Sequence, residues 1–507
     1  MTIAREPSYY QSHYYNSYRQ ASLDSLDGLE APLLEYLSLR ALDVQNIDAL
    51  LRSPRLQSVN LQRSRGLKSI DALTPAAPSL RDLVLDDCHQ IESIAPLEGA
   101  TQLQQVHLKN CNSVASLEPL SRCKSIRDLV VEGCSNLTSL EGVGHLSAGG
   151  AEFSVKGCSS LRSISGLPAL APTVATLDLV GTTSLLHLTG NDFAQHITTL
   201  KAANSGLVDL TQRFDLPHLE EIHLSSCRKL RSIEGLPSTV TRMGGEKRDT
   251  IDLNDCRHLT SLCPLGGTLV VKTATRIDLD GCFELSTLAG LEEMRLLDTA
   301  CLPPTITDAS ALANRRRSLK IKISLEGIET FPASLARAIA QIPKVKLSLR
   351  SAVLEDCSSL AGIASLLELD LLDCPKVDNI RWIIGIPFLK RLRLATASPA
   401  AQQAKDAFFD QTTKIQQLCQ GRCTYTVYEL QAARYVTTKI RELQQAICAK
   451  DGVPLPPHIA PIQAADVTPE VAEKDEVPLK ESKAGGTGFV SPSHEYTYRP
   501  DAKEMIA

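Results

Sequence analysis

The sequence predicts an α/β solenoid with turns of about 23 residues, and two repeated features indicate it. The first is a short alternating apolar phrase, as in Leu83-x-Leu85. The second is a cysteine three positions after the phrase, and its copies stand 23, 23 and 24 residues apart at Cys88, Cys111, Cys134 and Cys158. Each turn then holds one strand and one return arc, and only stacked turns can bury the apolar side.

Such turns are leucine-rich repeats, so the predicted fold class is a leucine-rich repeat horseshoe with a C-terminal helical cap and disordered tails. The cysteine position, which we name the ladder position, is predicted to hold Cys88, Cys111, Cys134, Cys158, Cys227, Cys256, Cys282, Cys357 and Cys374. Other turns have Ser64, Thr182 or Ser205 there. These residues keep the size and the donor of cysteine but cannot bind metal as a thiolate. We therefore predict buried thiols that donate to main-chain carbonyls of adjacent turns.

Disulfides and zinc remain alternatives for the ladder, because successive ladder residues are roughly 5 Å apart, close enough for a bridge. The count of 15 cysteines is odd, and residues 1–20 show no secretory signal. Both observations predict a reducing, cytoplasmic compartment. No apolar run approaches the roughly 18 residues that cross a bilayer, so no membrane contact is expected.

The chain divides into four predicted parts. Residues 1–30 form a tyrosine-rich flexible arm, and residues 31–395 form the solenoid, with an irregular longer turn over 297–350. Residues 396–450 carry apolar residues at steps of three or four, and they form a helical cap over the open end or a helical hairpin offered to another protein. Residues 451–507, with eight prolines and a net charge of −5, form an acidic, proline-rich disordered tail.

Both predicted tails carry tyrosines, which the repeats almost lack. Aromatic side chains dominate interface hot spots, so these tyrosines are expected to anchor the chain in an assembly. The anchors are Tyr9, Tyr10, Tyr14, Tyr15, Tyr18, Tyr496 and Tyr498.

Charge and motif content narrow the function classes. The whole chain has a net charge of −5, equal to that of residues 451–507, so residues 1–450 sum to zero and do not favour nucleic-acid binding. The basic run Arg315–Lys322 is a solvated loop and strand edge, a contact for an acidic partner or a nuclear-import patch. No phosphate loop or catalytic constellation is found, and His223 and Cys227 should point in opposite directions rather than bind a metal. We expect no enzyme activity and no cofactor.

The strand phrase predicts a binding surface. Side chains between the buried leucines line the concave face of the sheet, and its second half is expected to be acidic and to suit a partner with a basic patch. The predicted protein-binding residues are Lys109, Glu132, Lys156, Asp252, Asn254, Asp278, Asp280 and Asp370.

The segment LVLDDCHQIESIAPLEGATQLQQVHLKNCNSVASLEPL, which begins at Leu83, resembles cysteine-containing leucine-rich repeats. Its cadence is similar to that of trypanosomatid leucine-rich repeat proteins and, more distantly, of F-box leucine-rich repeat proteins. The resemblance covers roughly 70% of the chain and implies a protein-binding scaffold. Relatives of this architecture sit in flagellar and other cytoskeletal assemblies.

Two functions remain open at this point. One is a non-catalytic scaffold that is a structural component of a large cytoskeletal assembly, such as a flagellar axoneme. The other is an adaptor or substrate-recognition subunit of a regulatory complex such as a ubiquitin ligase or a phosphatase.

Overall fold

The computed structural model describes residues within one compact unit, Met1–Ile459. The described ranges are 22–39, 42–143, 147–148, 152–166, 169–170, 174–188, 196–210, 216–244, 249–395, 398–403 and 433–456. The seven predicted tyrosine anchors and residues 457–507 lie outside them.

Short strands alternate with short helices along the chain. The strands are β1 (Ser22–Ser25), β2 (Tyr36–Ser38), β3 (Asp43–Asn46), β4 (Ser58–Asn60), β5 (Asp82–Val84), β6 (Gln105–His107), β7 (Asp128–Val130), β8 (Ser147–Ala148), β9 (Glu152–Ser154), β10 (Ala169–Leu170), β11 (Thr176–Asp178), β12 (Thr199–Lys201), β13 (Glu221–His223), β14 (Thr250–Asp252), β15 (Arg276–Asp278), β16 (Thr299–Cys301), β17 (Leu319–Ser324), β18 (Val345–Arg350), β19 (Leu366–Asp373), β20 (Arg391–Leu394) and β21 (Ala433–Val436). The α-helices are α1 (Leu269–Thr273), α2 (Ala333–Ala340) and α3 (Thr437–Asp451). Among the described residues, no helix is both long enough and apolar enough to cross a bilayer.

The 3-10 helices lie in the return arcs. They are Asp48–Arg52, Asp71–Ser79, Ala95–Gly99, Glu118–Arg122, Cys263–Leu265, Ser310–Leu312, Ser358–Leu360 and Arg381–Gly385. Because a parallel pair needs a crossover between its strands, each arc brings the chain back to start the next strand beside the last one.

Strands of neighbouring turns pair in parallel and mostly in chain order. The three larger sheets have the orders β2-β4-β5-β6-β7, β9-β11-β12-β13 and β14-β15-β16-β17-β18-β19-β20-β21. Two small parallel pairs, β1 with β3 and β8 with β10, lie apart from them. Only the last pair of the largest sheet, β20 with β21, is antiparallel among the described strands.

One turn shows how the sequence builds the repeat. In β5, Leu83 is buried and Val84 is half-buried, and Leu85, directly after the strand, is buried again. The N–H of Leu85 donates to the carbonyl of His107 in the next turn at 2.8 Å. The 3-10 helix Ala95–Gly99 then turns the chain back. Since equivalent leucines stack from turn to turn, the core is one continuous cluster.

The residue just before the ladder position has a left-handed backbone in ten turns. Asn110 (φ 58°) and Gly133 (φ 73°) are examples, and their N–H groups donate to carbonyls of the next turn, those of Glu132 at 2.7 Å and Lys156 at 2.6 Å. Glycine, asparagine and aspartate tolerate this region best, which explains their frequency there. The full set is Arg63, Asp87, Asn110, Gly133, Gly157, Gly181, Asn204, Ser226, Asp255 and Gly281.

The ladder thiols are buried and donate to carbonyls of the preceding turn, as the sequence predicts. Cys134 Sγ lies 2.9 Å from the carbonyl oxygen of Leu108. The same kind of bond, at 3.0 to 3.5 Å, is made by Cys88, Cys111, Cys158, Cys227, Cys256, Cys282 and Cys374. Ser64 makes it through its hydroxyl, to Leu42 at 3.2 Å.

The prediction that Cys357 belongs to the ladder is wrong. Cys357 directly precedes the 3-10 helix Ser358–Leu360, in the position that Ile380 holds one turn later. Ser351 takes the corresponding role, because its hydroxyl donates to the carbonyl of Leu325 at 2.9 Å. Strand β18 has register shifts against β19, so a fixed spacing no longer identifies the bend in this turn.

The longer turn contains a strand, a helix and a second strand, β17, α2 and β18. β17 buries Leu319, Ile321 and Ile323 in strict alternation. α2 buries Leu335 and Ile339 among other residues of its apolar face. An α-helix uses more residues than a 3-10 helix to span the same distance, which accounts for the larger number of residues in this turn.

The carboxyl-terminal end of the largest sheet is covered by α3. Its residues Ile440, Leu443 and Ile447 are buried, and Gln444 Nε2 donates to the carbonyls of Ile383 at 2.7 Å and Ile386 at 3.2 Å. These contacts tie α3 to the last arc. The helix begins later than its apolar stripe suggests, because Ala433 and Val436 lie in β21 and pair with β20. Residues 404–432 of the predicted cap lie outside the described residues.

The amino-terminal boundary also differs from the prediction. The sequence predicts a flexible arm over residues 1–30, but β1 pairs with β3 from Ser22 to Ser25, and Leu26 and Leu29 pack against the core. Repeat structure therefore reaches at least as far back as Ser22. The segment Ser22–Leu29 has three leucines three residues apart, a spacing that matches the arcs and could have revealed it.

Candidate protein-binding face

The concave face consists of the strand side chains that alternate with the buried ones, and the register aligns them in columns. In the largest sheet, one column contains Asp252, Asp278, Cys301, Lys322, Ser348, Asp370 and Arg393. The column beside it contains Thr250, Arg276, Thr299, Lys320, Lys346, Glu368 and Arg391. Neighbours within a column are about 4.8 Å apart along the sheet, since that is the spacing of paired strands.

The acidic patch, which consists of Asp252, Asp278 and Asp280, lies on β14 and β15. Asp252 and Asp278 are direct register partners, and Asp280 follows Asp278 by two positions. The N–H of Asn254 donates to Asp252 Oδ1 at 3.2 Å, and the N–H of Asp280 donates to Asp278 Oδ1 at 3.1 Å. Four of the predicted binding residues are thus brought together, and two of them also hold the turn that follows their strand.

The neighbouring carboxylates of this patch repel one another. Burial raises the pKa of Asp252 above its ordinary value, and the neighbouring charge of Asp278 adds to the rise. Burial likewise raises the pKa of Asp280, with further repulsion from Asp278 and Glu326 and some relief from Arg350. Within the described part of the chain, none of the three acidic-patch residues has a salt-bridge partner at 4.0 Å or less.

The pKa of Asp255, which lies close to the acidic patch, is shifted in the opposite direction. Its carboxylate forms ion pairs with Arg257 at 2.7 Å and Arg228 at 2.8 Å. Burial would raise its pKa, but the hydrogen bonds and charges of the two arginines outweigh burial and lower it. Asp255 is therefore locally neutralised.

A groove of about 590 Å³ opens beside the acidic patch. Its lining combines the carboxylates of Asp278, Asp280 and Glu326 with apolar surface from Phe283 and Ile328. The side chain of Phe283 is 51% exposed. Charged oxygens next to an exposed aromatic ring suit a basic side chain with an aliphatic stem.

Asp370 does not join the acidic patch, although the sequence analysis grouped it there. Three strands separate it from Asp278, and its Oδ2 lies 3.1 Å from Arg393 Nη1. It lies among the side chains of a basic patch, which consists of Lys320, Lys322, Lys346, Arg391 and Arg393. The expectation that the whole second half is acidic is therefore wrong: acid dominates β14 and β15, and base dominates from β17 onward.

The basic patch is only partly neutralised by carboxylates of the same sheet. Glu368 pairs with Lys346 at 3.2 Å and with Arg391 at 3.3 Å. No ion pair involves Lys320 or Lys322 within the described ranges. The sequence predicts Lys320 and Lys322 within a run that is a solvated loop and strand edge, a contact for an acidic partner or a nuclear-import patch. Their alternation with Leu319, Ile321 and Ile323 was the signal that places them on the concave face.

Two of the three predicted residues of the first half, Lys109 and Glu132, form an ion pair. Lys109 Nζ lies 3.0 Å from Glu132 Oε2, and this contact raises the pKa of Lys109. Burial would raise the pKa of Glu132, but hydrogen bonds from Lys109 and Ser154 lower it, and Lys156 adds to the lowering. Lys109 and Glu132 therefore neutralise each other, unlike the carboxylates of the acidic patch.

The histidine and cysteine that had metal-like spacing diverge, as the sequence predicts. His223 Nε2 lies 3.0 Å from Glu221 Oε1 on the concave face, whereas Cys227 is buried and donates to the carbonyl of Ala202 at 3.1 Å. No group of three or more His, Cys, Asp or Glu side chains with metal-binding geometry occurs among the described residues.

The chain has parallel turns, stacked leucines and a ladder of thiols that point inward. The chain has a cysteine-containing leucine-rich repeat fold. This assignment depends on the chain's own repeat geometry. The similarity to trypanosomatid proteins in particular stays a prediction.

Solved leucine-rich repeat structures are similar to this chain at low identity. The internalin InlF of Listeria monocytogenes has 16% identity over 69% of this chain and 85% of its own, with a TM-score of 0.29. The functional domain of InlJ from the same organism, which includes a cysteine ladder, has 16% identity over 62% of this chain and 66% of its own, with a TM-score of 0.28. A leucine-rich repeat protein of Leptospira interrogans has 15% identity over 78% and 93%, with a TM-score of 0.23. No protein-family model and no curated protein matches the sequence.

Proposed function

We propose that this protein is a non-catalytic protein–protein interaction scaffold that contacts its partner through the concave face. The specific setting proposed is a large cytoskeletal assembly, such as that of a flagellum, in which the chain is a structural component. The support is the character of the concave face, a broad ordered surface of charged side chains on rigid strands. Surfaces of this kind in solenoids serve as extended binding faces.

The acidic patch is the observation that carries the proposal. Asp252 and Asp278 are adjacent, and burial together with the charge of Asp278 raises the pKa of Asp252, so the ionised form of Asp252 lowers the stability of the fold. Residues that reduce stability in this way are expected at functional sites, where a partner supplies the missing interaction. A basic patch on the partner would supply it here.

The basic patch adds a second requirement for the charge of the partner's surface. Along the same sheet, the surface changes from acidic at β14 and β15 to basic at β17 to β20. A partner that matches both regions carries a basic segment and an acidic segment side by side. Such complementarity fixes the register of a complex and rejects partners of uniform charge.

An adaptor role in a regulatory complex is the second candidate. The charged character of the concave face favours it, because polar contacts are typical of exchangeable interfaces. Fractionation separates the two roles. A structural component should stay in the detergent- and salt-resistant fraction, whereas an adaptor should be released with its partners.

The test of the binding face is a triple charge reversal, Asp252→Lys, Asp278→Lys and Asp280→Lys. Proteins that co-purify with the tagged chain should be lost from this variant. A matched control changes three exposed glutamates of the arcs to lysine, at Glu92, Glu118 and Glu234, and should keep them. Retention of all partners by the first variant would place the contact elsewhere.

A further inference from the structure

A cavity of about 700 Å³ lies away from the concave face and is lined by four arginines. Its walls come from Leu291–Arg295 of one turn and from residues 311–317 of the next, segments that precede β16 and β17. The arginines are Arg295, Arg315, Arg316 and Arg317. Three of them, Arg315, Arg316 and Arg317, form the start of the basic run Arg315–Lys322, and the proposed function does not use this part of the run.

Arg315 is fixed in the wall of this arginine cavity. Its Nη1 donates to the carbonyl of Met294 at 2.6 Å, and its Nη2 donates to the carbonyl of Leu297. Its Nε is buried and has no hydrogen-bond partner among the described residues. Burial lowers the pKa of this guanidinium, and the nearby charge of Asp298 opposes that effect. Main-chain carbonyls position the cation but do not neutralise it, so the cavity keeps a positive potential.

The remaining side chains add to that potential. Arg295, Arg316 and Arg317 are exposed, and none of them forms an ion pair with another described residue. Glu292 is the only acidic residue of the lining, and both of its carboxylate oxygens accept the N–H of Gly290, at 2.9 and 3.1 Å. Four arginines against one glutamate leave a net of three positive charges in one concavity.

We propose that the arginine cavity binds an acidic segment of a partner protein that carries neighbouring carboxylates. The guanidinium fork matches a carboxylate through two parallel hydrogen bonds, and the volume is in the range of about 300–1,000 Å³ typical of ligand sites. A nucleic acid is disfavoured, because residues 1–450 have no net positive charge to follow a phosphate backbone. The site lies off the concave face and prefers an acidic ligand, whereas the acidic patch prefers a basic one, so the proposal goes beyond the proposed function.

The experiment measures fluorescence anisotropy of a fluorescein-labelled peptide, Gly-Glu-Glu-Ser-Glu-Glu-Gly, with the full chain. The variant Arg316→Glu with Arg317→Glu should weaken binding about tenfold or more, because two charge-assisted pairs become repulsive. The control Arg337→Glu with Lys344→Glu makes the same change of charge at exposed positions outside the cavity, and should shift affinity by no more than about twofold. Thermal midpoints of both variants confirm that the fold is retained.

A charge-conserving variant tests recognition by the fork itself. Arg316→Lys with Arg317→Lys should weaken binding about threefold or more, since lysine is a point charge and cannot form two parallel bonds. Equal losses in the cavity variant and in the control would overturn the proposal, because they would show binding to net charge alone. It would also be overturned by absence of peptide binding to the unaltered chain, or by tighter binding of a single-stranded oligothymidine of equal charge. The triple reversal of the acidic patch should not weaken binding of this peptide, so failure here leaves the proposed function untouched.

Discussion

The thiol of Cys111 donates a hydrogen bond to the carbonyl oxygen of Leu85 at 3.1 Å, which links two successive turns of the solenoid through their buried interior. The bond uses a main-chain acceptor at the point where the chain leaves one strand. The carbonyl of Leu85 also accepts the N–H of Cys88 at 3.0 Å, so the thiol adds a second hydrogen bond to an oxygen that is buried away from water. The ladder thiol thus donates to a main-chain carbonyl that the leucine core buries at the bend after the strand.

Serine should replace a ladder cysteine at modest cost. We expect Cys111→Ser and Cys134→Ser each to lower the free energy of unfolding by about 1 kcal/mol, because the donor is kept and only the size and polarity change. Urea unfolding followed by circular dichroism measures this. Stoichiometric zinc in the purified protein, or a loss well above that of an ordinary buried substitution, would contradict a purely structural ladder.

A charge in the leucine core should be far more damaging. Leu108 is fully buried, and Leu108→Asp would leave a carboxylate without a partner in the stacked core. We expect a loss of several kcal/mol and local unfolding of the adjacent turns. Hydrogen exchange should show faster exchange there, while α3 at the far end keeps its protection.

The left-handed residue before the ladder position predicts a contrast between two glycines. Gly133→Ala should destabilise the fold, because Gly133 has φ 73° and an added Cβ would lie 2.2 Å from Asn110 Oδ1. Gly99→Ala should be close to neutral, since its new Cβ would only touch that of Ala77 at 3.6 Å. Thermal midpoints of the two variants should differ accordingly, and equal midpoints would contradict the backbone argument.

Removal of a carboxylate from the acidic patch should stabilise the fold, and the gain should depend on pH. The folded-state pKa of Asp252 is raised, so the ionised group lowers stability at neutral pH, and the folded state takes up its proton first as the pH falls. Asp252→Asn should therefore raise the free energy of unfolding at pH 7, and the gain should shrink as the pH falls through the folded-state pKa.

Asp255 gives the matched control, because its pKa is lowered by Arg257 and Arg228. Asp255→Asn should lower stability at pH 7, and its effect should disappear below the folded-state pKa, where the carboxylate is protonated in both states. Denaturant titrations at several pH values compare the two variants. If both variants changed the free energy of unfolding in the same direction, the conclusion that Asp252 destabilises the fold would be refuted.

The tyrosine-bearing ends are predicted to hold the protein in its assembly. Removal of residues 1–21 and 480–507 should leave the thermal midpoint unchanged and move the protein from the particulate to the soluble fraction, because two tethers on one body reinforce each other. The cut stops before Ser22, since β1 pairs with β3. A truncated protein that stays particulate would assign the attachment to the concave face.

The amino-acid sequence by itself determined the repeat. The alternation of Leu83 and Leu85 and the return of a small donor after about 23 residues are local signals, and a stacked turn has few other ways to bury them. It also determined that Asp252 and Asp278 are neighbours, because both hold the same position of the repeat and successive repeats stack in register.

Contacts between turns were decided only by the tertiary structure. Side chains alternate with a period of two, so a register shift such as that between β18 and β19 changes which residue reaches the bend, and Ser351 takes the role predicted for Cys357. The pairing of Asp370 with Arg393 and the gathering of Arg295 with Arg315–Arg317 depend on which turns lie side by side. The spacing of residues within one repeat carries no information about the charge of the next, so the sequence predicted the concave face while the fold determined how its charges are distributed.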